Sequence, residues 1–214
     1  LMEPLEPFYK GIPIQHLDWK TLLIPYFTKA KHMLGVTRAK NSNADDILLK
    51  EVADELGVSN SFKGVDVGVY YNEDKSPRDP YFDGDGPLRS PCIECAGCMV
   101  GCRYNAKNSL DKNYLWFAEK KGATILAETE VIKIESGSSG YTVHTRGSTR
   151  QSSQAVFQSD GLIISGGVLG TLDLLFKQKY LYKTLPEISD TLGQHVLSNS
   201  ESISGVIGTD KKLN

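Results

Sequence analysis

The spacing of apolar positions changes several times along the chain. Between residues 17 and 34, Leu22, Leu23, Tyr26, Phe27, Ala30 and Leu34 recur near the helical period, which predicts a helix. Pro25 falls inside that pattern and predicts a kink or a break. A second helix is expected over 43–56, where Ile47, Leu48, Val52 and Leu56 form an apolar stripe. Ser42 or Asn43 can cap it, Asp45 and Asp46 suit its positive end, and Gly57 ends it. Residues 65–70 alternate apolar and polar as a half-buried strand does. Pro77, Pro80, Pro87 and Pro91 then crowd residues 72–91 and predict an irregular loop.

Residues 109–121 read as a helix with Leu110, Tyr114, Phe117 and Ala118 on one face and Gly122 as its stop. Strands are expected at 123–127, 130–135, 141–146 and 153–158, with a hairpin turn at 136–140. The wholly apolar run 162–164 resembles a buried strand. It leads through Ser165-Gly166-Gly167 into a helix over 168–177, with Leu169, Leu172, Leu175 and Phe176 inward. Residues 202–207 read as a last strand. The sum is an α/β piece of mixed, α+β character.

Composition narrows the function classes. The chain has 214 residues, a net charge of −2, 40% hydrophobic and 23% charged residues. Such a balance gives no basis for binding nucleic acid or an anionic membrane. No apolar run approaches the ~20 residues of a membrane span. The first residues lack the basic and apolar regions of a signal peptide, and both ends read as cut, so an interior piece of a longer protein is expected. All four cysteines lie between Cys92 and Cys102. Clustering of that kind favours a metal or redox site in a reducing, cytoplasmic setting over a secreted disulfide scaffold.

Two segments could carry chemistry. At Gly166-Gly167 a strand delivers two glycines to a helix N-terminus, whose free N–H groups and dipole suit a phosphate or a flavin edge. A plain strand–helix turn is the alternative. The fingerprint G-x-G-x-x-G does not occur in the chain. The cysteines Cys92, Cys95, Cys98 and Cys102 have the spacing C-x2-C-x2-C-x3-C of a ferredoxin run, although Arg103 stands where ferredoxins have proline. An iron–sulfur cluster, a zinc site, and unmetallated thiols or a disulfide all remain open, and an iron–sulfur electron carrier is the alternative function. Asp83-Gly84-Asp85-Gly86 lacks the further ligands of a calcium loop and reads as a turn. The four histidines are scattered, and neither a Ser-His-Asp order nor HExxH appears, so hydrolase chemistry has no support.

Residues 105–115, Asn-Ala-Lys-Asn-Ser-Leu-Asp-Lys-Asn-Tyr-Leu, resemble the N-A-K-N-S-L-D-K-T-Y-L segment of cholesterol oxidases. Downstream, residues 161–175 resemble that family's G-A-G-S-L-G-S-T-E-L-L, with a meander between the two. The cysteine window, residues 34–37 and residues 193–206 are similar to the bacterial cholesterol-oxidase-like branch of the glucose–methanol–choline (GMC) oxidoreductases. The resemblance implies part of an FAD-binding, Rossmann-like domain with a β-meander and part of a substrate domain. It implies FAD as cofactor, a small-molecule alcohol as substrate with sterol as the family label, and hydride transfer to flavin. Carried over by position, Val131 corresponds to the valine whose backbone meets the adenine, and Gly166 and Gly167 to the flavin-side turn. The family's catalytic residues fall beyond this sequence, so none is assigned here. The organisation expected is a partial substrate region over 1–90, the cysteine loop over 91–108, a partial FAD-binding domain over 109–177, and the start of a second substrate part over 178–214.

Overall fold

The structure, a computed structural model, describes residues 4, 6–13, 16–40, 43–149 and 153–197. Its class is mixed α/β. The described residues up to Thr124 form one compact unit and those from Ile125 onward form another.

The first unit contains α1 (Glu6–Gly11), α2 (Trp19–Met33), β1 (Thr37–Arg38), α3 (Ala44–Glu55), β2 (Asp66–Val67) and α4 (Tyr114–Lys120). Asp18 caps α2 by accepting from the Thr21 N–H at 3.1 Å. The helix runs through Pro25 without a break; the turns on either side carry it past the missing N–H. Asn43 opens α3, and its own N–H donates to Asp46 at 2.8 Å. Ser42 lies outside the described residues. The stripe Ile47, Leu48, Val52 and Leu56 is present on α3 but stays exposed.

β1 and β2 form a short antiparallel ribbon with Thr37 opposite Val67. The strand expected over 65–70 is therefore cut to two residues, and its continuation pairs elsewhere. Val69 bridges Lys107, Tyr70 N–H donates to the Ala106 carbonyl at 2.9 Å, and the Tyr70 carbonyl accepts from Cys92 N–H at 2.8 Å. Val69, Tyr70 and Ala106 are buried in this unit, as are Pro87 and Pro91.

Arg89 lies buried beneath them with 1% of its surface exposed. Its Nε donates to the Asn105 carbonyl at 2.6 Å, and Nη2 to the carbonyls of Ala106 and Lys107 at 3.0 and 2.9 Å. Nη1 donates to Asn108 Oδ1 at 2.5 Å, and the guanidinium lies 5.9 Å from the Tyr81 ring centre. Asn108 in turn donates to the Gly35 carbonyl at 2.9 Å. A buried cation thus ties residues 105–108 to the segment after α2.

The loop at Asp83–Gly86 is wrapped around a different acid. Asp79 accepts from the backbone N–H groups of Tyr81, Phe82, Gly84 and Gly86 at 2.8–3.1 Å. Burial alone would push this carboxyl up, but the four N–H donors outweigh it and hold its pKa below the ordinary value.

The helix expected over 109–121 is interrupted. A 3₁₀ turn, Leu110–Lys112, precedes α4, and between them Asn113 has φ −141° and ψ −96°. The Asn113 side chain accepts from Tyr114 N–H at 2.6 Å and is fully buried. Leu110 and Tyr114, expected on the packed face, are exposed; the polar cap does the anchoring.

The second unit contains an antiparallel meander, β3 (Thr129–Gly137), β4 (Gly140–Gly147) and β5 (Gln154–Ser159), followed by α5 (Gly167–Phe176) and a π turn, Lys177–Leu181. Gly140 closes the first hairpin with φ +121°, where a Cβ would meet the Ser159 carbonyl oxygen at 2.3 Å. Two expected strands are absent. Residues 123–127 and 162–164 have no ladder partner among the described residues, and Ile163 is 91% exposed. Leu169, expected inward, is 84% exposed, whereas Leu172, Leu175 and Phe176 are half-buried. The strand expected over 202–207 lies outside the described residues.

Two predictions follow from the buried polar groups. Arg89→Met should cost about 3 kcal/mol or more in urea unfolding, because it takes the guanidinium donors from the Asn105 and Lys107 carbonyls and leaves the buried Ala106 carbonyl with Tyr70 N–H alone; a loss under about 1 kcal/mol would remove Arg89 as the anchor. Asp79, with its lowered pKa, stabilises the fold above the ordinary carboxylate range and loses that contribution as pH falls through its folded value. Asp79→Asn should therefore lower stability at neutral pH and flatten its decline in acid, read from melts across a pH series.

Candidate cofactor site and cysteine loop

β3 and β4 are paired with one irregularity. Val131 lies opposite Thr145 and Lys133 opposite His144, so Ile132 is an extra residue, a β-bulge. Gln178, fully buried in the π turn after α5, reaches this bulge. Its Oε1 accepts from Ile134 N–H at 2.9 Å, and its Nε2 donates to the carbonyls of Ile132 at 3.4 Å and Leu174 at 3.0 Å. One side chain thereby fixes the end of α5 against the bulged part of β3. Nothing in the sequence pattern singled out Gln178; its burial depends on a π turn that periodicity does not reveal.

Between these elements lies a cavity of about 500 Å³. Val131, Ile132 and Glu130 of β3 line one side, Ser165 and Gly166 another, and Gly170 and Leu174 of α5 a third. Two of the three expected cofactor residues, Val131 and Gly166, thus line one cavity. Gly167 begins α5 with φ +70°, and no atom lies within 4 Å of a Cβ built there or at Gly170. No side chain caps the helix at Gly166. Open glycines and uncapped N–H groups beside a cavity fit the close approach of a flavin nucleotide to backbone. The cavity's charges are internally paired: Arg146 with Glu130 at 2.8 Å and Lys177 with Asp173 at 2.6 Å.

The cysteine loop belongs to the first unit. Its path uses left-handed conformations at Glu94 (φ +59°), Ala96 (φ +55°) and Gly101 (φ +102°), with a 3₁₀ turn, Gly97–Val100, between the last two. Lys107 Nζ donates to the Cys98 carbonyl at 2.8 Å and holds the turn down. Cys92, Cys95, Cys98 and Cys102 are free thiols that line one cavity of about 810 Å³ together with Leu49, Val52 and Leu56 of α3. Among the described residues no three His, Cys, Asp or Glu side chains form a group able to hold a metal ion. The ferredoxin-like spacing therefore has no assembled ligand set behind it.

A family model described as GMC oxidoreductase matches residues 89–195. The chain belongs to the GMC oxidoreductases. Both the cysteine loop and the Val131–Gly166 cavity fall within the segment matched to this GMC family. Cholesterol oxidase of Acinetobacter baumannii is 39% identical over 219 residues, covering 96% of this chain and 39% of that protein. Cholesterol oxidase of Mycobacterium tuberculosis, in two strains, is 40% identical over 216 residues, covering 96% of this chain and 37% of theirs. The chain thus spans less than two fifths of the curated relatives it matches. No solved structure matches it.

Gln178→Leu should cost about 1–3 kcal/mol, since it leaves the Ile134 N–H buried without an acceptor. Hydrogen exchange should show faster opening at Ile134 than elsewhere in β3; unchanged protection there would disprove the clamp.

Proposed function

We propose that this chain forms part of an FAD-dependent oxidoreductase that oxidises an alcohol, with a sterol-like compound as the substrate class. The observation that carries the reading is the shared cavity of Val131 and Gly166 in a GMC family member. In this reading the Val131 backbone meets the adenine, and Gly166 and Gly167 let the cofactor approach the start of α5. Bound FAD supplies the acceptor for the hydride leaving the alcohol carbon. The chain's own contribution is binding and orientation: the Gln178 clamp keeps the β3 wall and the α5 wall at fixed separation. The substrate class rests on the names of the two cholesterol oxidases. We place the protein in the cytoplasm, where its four thiols stay reduced. No helix among the described residues is long and apolar enough to cross a membrane.

The test separates binding from turnover. In the full-length protein, Gly166→Val should weaken FAD retention about tenfold or more, read by flavin fluorescence; unchanged retention would move the cofactor elsewhere. The 214-residue chain, which lacks G-x-G-x-x-G, should give no oxidation of a sterol or a simple alcohol with added FAD. Measurable turnover would overturn that assignment.

A further inference from the structure

The meander of the second unit has two edges, and they are finished differently. β3 carries the charged residues Glu130, Lys133 and Glu135 and a bulge at Ile132. The Gln178 amide also covers its Ile134 N–H and Ile132 carbonyl. Charges, bulges and covering groups keep an edge strand from pairing with another chain. β5 has none of these. Its residues, Gln154-Ala155-Val156-Phe157-Gln158-Ser159, include no charge, proline or glycine, and all six are exposed. Val156, apolar and β-branched, is 59% exposed.

The ladder shows which backbone groups of β5 are open. The Ser153 carbonyl accepts from Gly147 N–H at 2.8 Å. The pairs Thr145–Ala155, Val143–Phe157 and Tyr141–Ser159 continue that side of the strand. Successive residues of an antiparallel strand turn their N–H and carbonyl groups to alternate neighbours. Those of Gln154, Val156 and Gln158 therefore point away from β4. None of these groups has a partner among the described residues.

The outward residues read the same in both directions: Gln154, Val156, Gln158. We propose that β5 pairs with β5 of a second copy of the protein, antiparallel, about a two-fold axis at Val156. Each open N–H then meets an open carbonyl of the other copy. Val156 faces its own copy, and Gln154 faces Gln158, whose amides can donate and accept in turn. Ala155 faces Phe157, a small side chain against a large one. Ala155 and Phe157 share a sheet face with the buried Thr145, Val143 and Ile134, so the joint extends the apolar side of the meander. A neutral strand brings no like charges together at the axis. The same surface serves both partners, as a two-fold interface requires. A strand of different sequence would need no such symmetry of the edge. One strand pair buries little area, so the dimer belongs to the weak class of interfaces, with dissociation in the micromolar range.

The full-length protein is followed by sedimentation equilibrium from about 1 to 100 μM. Its mass should rise from that of one chain to that of two. Val156→Lys and Val156→Glu set like charges against each other at the axis and spare the β4 ladder, because residue 156 bonds outward. Each should weaken dimerisation by about tenfold or more, and an equimolar mixture of the two should restore it. Amide exchange in the unaltered protein needs no variant: Gln154, Val156 and Gln158 should gain protection as concentration rises, while Ala155 and Phe157 are protected throughout. A protein that stays monomeric at about 100 μM, whether another segment of the longer chain covers β5 or water does, overturns the proposal. So does a dimer whose dissociation is unchanged in folded Val156→Lys, or one that forms without new protection at Gln154, Val156 and Gln158.

Discussion

The Arg89 guanidinium is buried with no ion pair among the described residues, held by three backbone carbonyls and one side-chain amide. A bare buried charge is costly, so the carbonyls must be presented to it in a fixed array. That requirement sets the course of residues 105–108. From it follow the bridge between Val69 and Lys107 and the position of Asn108 against Gly35. Few apolar residues in this unit are buried, and the polar network specifies what packing leaves loose.

The second unit solves a similar problem with a neutral side chain. Gln178 offers one acceptor and two donors, and all three find partners on β3, on the Leu174 carbonyl and at the bulge. The paired ladder of the meander is strong, but it does not by itself place α5. A single amide does so, which makes the cavity wall near Val131 depend on a residue that touches no ligand.

Much of this was legible in the sequence, and the exceptions share a cause. The helices α2, α3 and α5 and the three meander strands follow from local periodicity, capping and turn chemistry. The family was legible from two motifs in the right order. The strands expected at 123–127 and 162–164 required partners that only tertiary structure can supply, and the described residues provide none. The single helix expected over 109–121 failed because Asn113 is used as a buried cap, a role that periodicity does not weigh. The cysteine spacing predicted possible ligands but could not show whether the sulfurs come together; among the described residues they form no group able to hold a metal ion. Gln178 left no trace in the pattern.

The bulge at Ile132 has a consequence for how this stretch can change. Val131 shares a sheet face with Thr145, and Ile134 shares that same face with Val143, so the two are three residues apart where a regular strand would place them two apart. Deleting Ile132 would leave every remaining rung of the ladder intact. It would also remove one of the carbonyls that Gln178 binds and take the bend out of the strand. Substitutions at 132 can be tolerated as long as a residue is there. What evolution must keep at this point is a length, and a comparison of sequences that scores only identities would overlook it.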